Sequence, residues 1–269
     1  MIKYRDTRSH LHEALPYTEV ILQGIAPGGG LFVPERLPLM TLAEIDDLGT
    51  MPYWQRATEI YWRFEPDISA TRVAAIARQA YGDNFDHHQI APVHQVGDNR
   101  SVFELWRAPS LASEDMSLLG VPLFFSTALE YSRARGRASG DFLVLVATSG
   151  DTGVAALSGF ADRAHTRIAV CYPSGGVSPI QQRQMVTQPG DNLTVFEVAG
   201  DFDACQSAVK AVFADETFAG ELKTQFGLQL SSANSINWGR LMPQIVYYIS
   251  AYADLVARGY CALGDPIDV

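Results

Sequence analysis

Apolar residues follow two patterns along this chain: short continuous runs, and positions repeated at helical spacing. Three runs predict buried strands, at FLVLVA (142–147), RIAVCYP (167–173) and LTVFEVAG (193–200). Each run is followed by a segment whose apolar or small residues repeat at helical spacing. Strands alternating with helices in this way are typical of a right-handed parallel α/β sheet, which is therefore the predicted fold class.

The first ninety-odd residues show a different pattern, with short elements separated by turns. Thr41 with Glu44 has the spacing of a capping box, and residues 69–83 predict a helix that stops at Gly82. The glycine- and proline-rich segment 24–38 is interpreted as a structural loop. We therefore predict an N-terminal domain over residues 1–92 and an α/β region over 93–269.

The last segment reads as a polar loop that enters an amphipathic helix and breaks near Gly259. The chain then ends at GDPIDV, which resembles the first residues of another strand. We expect the α/β region to be incomplete at its C-terminus. Exposed sheet edges would favour a homo-oligomer or a protein partner that completes the sheet.

Composition excludes several classes of protein. With 269 residues, 47% of them apolar, the chain can bury a sizeable core. Its net charge of −10 argues against a general nucleic-acid or anionic-membrane binder, although local anion sites remain possible. No apolar run approaches the roughly 20 residues that span a bilayer, and no signal-peptide pattern opens the chain, so a cytoplasmic protein is predicted.

Cysteine and histidine give no indication of a disulfide framework or a metal site. The cysteines Cys171, Cys205 and Cys261 are odd in number and widely spaced, and are expected to be buried small hydrophobic residues. His87 and His88 are adjacent, and a solvated loop explains them better than a pair of metal ligands. No metal is predicted.

Two polar segments could bind anions. TSGDTG (148–153) follows a predicted strand and opens a helix, where backbone N–H groups converge, although a tight structural turn explains it equally well. It matches neither a dinucleotide fingerprint nor a P-loop. In SSANSINWGR (231–240), Arg240 could pair with a carboxylate or phosphate, helped by Asn234, Ser235 and Asn237. The alternative interpretation of this segment is an elaborate helix N-cap.

Five segments taken together resemble threonine synthase: APGGGLFVPE, ATSGDTG, YPSGGVSPIQQRQM, GDFDACQSAVKAVFAD and SSANSINWGR. The resemblance implies a parallel-sheet pyridoxal-phosphate (PLP) enzyme of the tryptophan-synthase-β type, preceded by a threonine-synthase N-terminal domain. Such enzymes convert O-phosphohomoserine and water to threonine and phosphate. Asp201, Asp203 and Gln206 also match the family pattern, although acids that open a helix can simply complement its dipole.

The resemblance also implies a substrate role for each polar segment. Ser149, Asp151 and Thr152, with Thr148 beside them, would lie near the amino-acid carboxylate of the substrate. Asn234, Ser235, Asn237 and Arg240 would hold its phosphate-bearing end. Which residues would bind the cofactor is unknown from the sequence, since the family's glycine-rich phosphate loop would follow Val269.

One departure from the family bears directly on chemistry. In WRAPSLASED (106–115), Pro109, Ala112 and Asp115 match the family, but Glu114 stands at the position of the lysine that forms the Schiff base. A carboxylate cannot form an imine. The chain's lysines are Lys3, Lys210 and Lys223, and none follows the geometry of the lost site. Covalent binding of PLP is therefore not expected.

Two functional hypotheses follow. The chain is either a threonine synthase that acts on O-phosphohomoserine, or a catalytically inactive relative that binds a small anion or a protein partner. The first leaves Glu114 unexplained, and the second accounts for it. A nicotinamide-dependent oxidoreductase would need a GxGxxG segment, which is absent, and a purely structural protein would leave both polar segments as coincidences.

Overall fold

The structure is a computed structural model, and it describes residues 1–8, 11–64 and 66–269. Its strands are β1 (Tyr4–Asp6), β2 (Phe32–Pro34), β3 (Val93–Gly97), β4 (Arg100–Phe103), β5 (Asp141–Ala147), β6 (Thr166–Pro173), β7 (Leu193–Val198) and β8 (Leu228–Ser232). Its helices are α1 (Tyr17–Gln23), α2 (Leu42–Leu48), α3 (Tyr53–Arg63), α4 (Ala70–Tyr81), α5 (Asp115–Leu118), α6 (Val121–Ala134), α7 (Asp151–Phe160), α8 (Pro179–Thr187), α9 (Phe202–Ala214), α10 (Glu216–Phe226) and α11 (Trp238–Ala257).

The central sheet has four parallel strands in the order β7-β6-β5-β8. The apolar runs that predict β5, β6 and β7 form these strands, and α7, α8 and α9 follow them as predicted. Strand β8 was not predicted, because its residues Ser231 and Ser232 were assigned to a polar loop. Both are buried, and Ser232 Oγ donates a hydrogen bond to the Leu145 carbonyl at 3.0 Å, so a polar residue is satisfied inside the sheet.

The N-terminal elements are partly as predicted. Thr41 caps α2 in a capping box with Glu44, and α4 ends at Tyr81 with Gly82 after it. The segment 24–38 is more ordered than the predicted loop, since it contains a 3₁₀ turn at Pro27–Gly29 and strand β2, which pairs with β1. The correction comes from pairing between distant residues, which local turn signals do not show.

One hydrophobic core contains residues from both predicted domains. The ring of Trp238, at the start of α11, lies 5.6 Å from that of Tyr4 and 5.7 Å from that of Phe64. The N-terminal elements thus support the beginning of α11, where the candidate site lies. The boundary at residue 92 stays a prediction.

The structure also gives the environment of the cysteines and of the adjacent histidines. Cys205 is buried, whereas Cys171 and Cys261 are partly exposed, so only the first matches the expected burial. The rings of His87 and His88 stack 4.6 Å apart in a turn. Within the described ranges, no helix is long and apolar enough to cross a bilayer.

Candidate functional site

The two polar segments meet at the carboxyl ends of β5 and β8. Backbone pairing between these strands ends at Leu145 and Ser232. The Asn234 side chain then adds a further rung, accepting from the Ala147 N–H at 3.1 Å and donating to the Ala147 carbonyl at 2.8 Å. Because Ala147 directly precedes Thr148, this amide holds the two predicted anion segments side by side.

Thr148 organises the turn that opens α7. Its Oγ1 accepts hydrogen bonds from the backbone N–H groups of Gly150 and Gly153, both at 2.9 Å. Gly150 has a φ of 138°, a conformation that favours glycine. The next N–H groups, of Asp151 and Thr152, open the helix and have no carbonyl one turn earlier to receive them. The turn is therefore built by Thr148 and presents helical N–H groups that an anion could accept.

The remaining residues of this turn differ in exposure. Ser149 and Asp151 are exposed, and Thr152 is partly buried. In the second segment Ser235 is also exposed. These side chains can reach a ligand in solvent, and their assigned substrate roles stay predictions.

Asn237 is fully buried and caps α11. Its Oδ1 accepts from the Gly239 N–H at 2.9 Å, and its Nδ2 donates to the carbonyls of Ile21 and Ser232 at 3.0 and 2.8 Å. Both amide hydrogens are thereby used in fixing the start of α11 to α1 and β8. This geometry corresponds to the N-cap interpretation of the segment.

Arg240 carries a buried charge that the protein leaves largely unpaired. Its side chain is 4% exposed, and Nη2 lies 3.8 Å from Glu114 Oε1, which is too long for a hydrogen bond. Nε and Nη1 are buried without a hydrogen-bond partner in the described part of the chain. Burial lowers the pKa of Arg240, and the nearby Glu114 carboxylate opposes that shift. A buried guanidinium with vacant donors is suited to bind an anion.

Glu114 and Asp115 are the acids that act on this guanidinium, and Glu114 also acts on Asp151. Partial loss of hydration raises the pKa of the exposed Asp151, and the carboxylate of Glu114 raises it further. Asp115 is also buried, which raises its pKa, while its Oδ2 accepts from the Ser110 N–H at 2.7 Å. Glu114, the residue that precedes α5, therefore interacts electrostatically both with Asp151 on α7 and with Arg240 on α11.

Two residues of this cluster were not assigned from the sequence. The Gln181 side chain on α8 donates to Asp151 Oδ1, and Ser178 caps that helix. Tyr247 lies two turns after Arg240 on α11, and interacts electrostatically with both Arg240 and Glu114. The i, i+7 spacing of Arg240 and Tyr247 indicates a shared helix face, whereas nothing local links Gln181 to Asp151.

The lysines lie outside this cluster. Lys3, Lys210 and Lys223 are all exposed, on or beside other elements. Lys210 belongs to α9 and Lys223 to α10. None of the three enters the site through a contact that the structure shows.

Comparison with known proteins identifies relatives along nearly the whole chain. A family model described as threonine synthase N terminus matches residues 3–81. A protein named threonine synthase-like 1 from Homo sapiens is 39% identical over 261 residues, which cover 94% of this chain and 34% of that protein. Threonine synthase from Pseudomonas aeruginosa is 39% identical over 259 residues, covering 95% of this chain and 52% of the enzyme.

Solved structures give the same result. A PLP-bound threonine synthase from Brucella melitensis superposes with a TM-score of 0.80 at 33% identity, covering 99% of this chain and 59% of that one. Threonine synthase from Escherichia coli superposes with a TM-score of 0.79 at 29% identity, covering 98% and 62%. The chain thus spans between a third and three fifths of the length of these relatives.

Proposed function

The chain belongs to the threonine synthase family, and we propose that it binds a small phosphate-bearing anion at Arg240 without catalysing the family reaction by itself. The ligand would be of the O-phosphohomoserine type. The N–H groups that open α7 would supply a second set of donors near the first. The family's conversion of O-phosphohomoserine and water to threonine and phosphate would not proceed on this chain.

The burial of Arg240 carries the proposal. A guanidinium removed from water loses several hydrogen bonds, and here Nε and Nη1 regain none from the described residues. An unsatisfied buried charge of this kind costs at least about 1–3 kcal/mol. A phosphate or carboxylate in contact with these donors would recover that free energy, which supports an anion as the natural occupant.

The residues present do not fit covalent attachment of PLP. The family's Schiff-base position corresponds by resemblance to Glu114, whose carboxylate faces Arg240 at 3.8 Å. The three lysines are exposed on other elements. No step of a reaction is therefore assigned to the cofactor in this chain.

Calorimetric titration with inorganic phosphate tests the binding proposal. Arg240→Ala should weaken binding by about tenfold or more, because hydrogen bonds to a charged group contribute about 1.5–3 kcal/mol. Arg167→Ala is a matched control, since Arg167 is exposed at the amino end of β6 and so away from the site. Equal phosphate affinity in Arg240→Ala and the unchanged protein would contradict the proposal.

Reduction chemistry tests the catalytic part. Treating the protein with stoichiometric PLP and then borohydride should leave its mass unchanged, and O-phosphohomoserine should release no phosphate. A cofactor-sized mass increase on Lys3, Lys210 or Lys223, together with phosphate release, would show that the chain is an active enzyme.

A further inference from the structure

Resting on the anion site just described, we propose that this site recognises a zwitterion. The anionic group of the ligand would lie on Arg240. Its free ammonium group would be held by the carboxylates of Glu114 and Asp151, without any imine. The ligand class is thus a small phosphorylated amino acid with an unmodified amine.

Glu114 is a weak partner for Arg240. The two side chains are 4% and 21% exposed, yet their nearest charged atoms are 3.8 Å apart. Glu114 Oε2 instead accepts from Ser113 Oγ at 3.0 Å. Glu114 therefore compensates part of the buried positive charge without accepting a hydrogen bond from the guanidinium, and no described residue accepts from its Nε or Nη1.

Asp151 and Glu114 are acids without a close cationic partner among the residues that the structure describes. Asp151 forms no ion pair with any residue in the described ranges, and Gln181 gives it a neutral partner. Its pKa is raised in part by Glu114, so the two carboxylates are close enough to repel each other. A cation near both would replace this repulsion with two attractions.

An ammonium group suits these two carboxylates better than a metal ion does. No group of three or more potential metal ligands occurs among residues 1–8, 11–64 and 66–269, so the site lacks the donors of a metal centre. An ammonium group needs only hydrogen-bond acceptors, and the carboxylates of Glu114 and Asp151 supply them. A ligand that carries both the anion and the ammonium satisfies Arg240 and the acids together.

The same charges make the site selective. A bare phosphate dianion that binds at Arg240 also meets the negative charge of Glu114. An amino-acid phosphate carries an ammonium group as well as the phosphate. The Glu114 carboxylate attracts that ammonium group. Glu114 should therefore lower the affinity of the site for bare anions and raise its affinity for zwitterions.

Calorimetry on the unchanged protein separates these effects with three probes. They are O-phosphohomoserine, its 2-hydroxy analogue, in which a hydroxyl replaces the amine, and inorganic phosphate. We expect the amine to bind about tenfold or more tightly than the hydroxy analogue, as a charge-assisted hydrogen bond predicts. The hydroxy analogue matches the amine in size, so the difference reports charge.

Variants test which residues cause the preference. In Glu114→Gln the preference for the amine should fall below about threefold, and phosphate should bind several-fold more tightly. Asp151→Asn should reduce the preference independently and provides a second variant if the first does not fold. Glu130→Gln is the control, because Glu130 is exposed and pairs with Arg72.

The outcomes distinguish this inference from the proposed function. Equal affinity of the amine and the hydroxy analogue, with both lost in Arg240→Ala, would overturn the zwitterion and leave the anion site intact. An amine preference that survives in both acidic variants would also overturn it. Failure of all three probes to bind would overturn both proposals.

Discussion

Replacing Asn237 by alanine tests whether this residue is a structural cap or a ligand contact. The side chain is fully buried, and it bonds the Gly239 N–H and the carbonyls of Ile21 and Ser232. Loss of an N-cap costs about 0.5–2 kcal/mol. Each carbonyl left buried without its donor adds about 1–3 kcal/mol. We therefore expect the free energy of unfolding to fall by about 2.5–8 kcal/mol, a large part of the roughly 5–15 kcal/mol of a typical domain.

Urea unfolding followed by circular dichroism measures this loss. Ser69→Ala provides the matched control, because Ser69 caps α4 from an exposed position through one bond to the Arg72 N–H. That variant should lose only about 1 kcal/mol. Asn237→Asp keeps the capping acceptor but turns an oxygen toward both carbonyls, so it should also be strongly destabilised. If Asn237→Ala lost no more stability than Ser69→Ala, while phosphate affinity collapsed, the structural assignment would be refuted.

Three further predictions concern the turn built by Thr148, the capping residue Glu44 and the contact of Gly24 with β8. Thr148→Val removes the acceptor of two buried N–H groups, so it should lower the free energy of unfolding by about 2 kcal/mol or more and weaken phosphate binding, whereas Thr148→Ser should preserve both. Hydrogen bonds from Arg63 and then Thr41 lower the pKa of Glu44 from 4.5 to about 2, so its stabilising contribution is present above pH 4.5 and is lost as the pH falls toward 2. The melting-temperature gap between the unchanged protein and Glu44→Gln should therefore shrink over that interval, and a constant gap would contradict this. Gly24→Ala should destabilise the fold, because φ is 74° and the added Cβ would lie 2.9 Å from the Ser232 nitrogen; an unchanged urea midpoint would argue against that contact.

The sequence predicted those parts of the fold that depend on local patterns. Strands β5 and β6 are continuous apolar runs because both faces of a parallel sheet are covered, and the capping box at Thr41 is a local motif. Strand β8 was missed because it ends in two buried serines, one of which, Ser232, bonds to the Leu145 carbonyl of a neighbouring strand. No property of residues 228–232 alone indicates that neighbour.

The sequence predicted which residues belong to the candidate site, but it did not predict how they lie relative to one another. The resemblance singled out Glu114, Asp151 and Arg240 separately. Their proximity arises because α5 packs against both α7 and α11, and such packing depends on distant parts of the chain. The sequence likewise left open whether the polar residues before Trp238 cap a helix or bind a ligand. Asn237 is fully buried, and its amide hydrogens bond to the carbonyls of Ile21 and Ser232. Ser235 is exposed, so two residues of the same motif have different environments.

The bond from Asn237 to Ile21 has a consequence for how this protein can diverge or be recombined. Its acceptor is a main-chain carbonyl, so any residue at position 21 can provide it. The constraint falls instead on Gly24, where a Cβ would lie 3.3 Å from Asn237 Nδ2. A chimera that takes its first ninety residues from another member of the family could therefore keep this hydrogen bond whatever residue stands at position 21, provided that position 24 is a glycine. The aromatic packing of Tyr4 and Phe64 on Trp238 is a separate requirement, and it does depend on side chains.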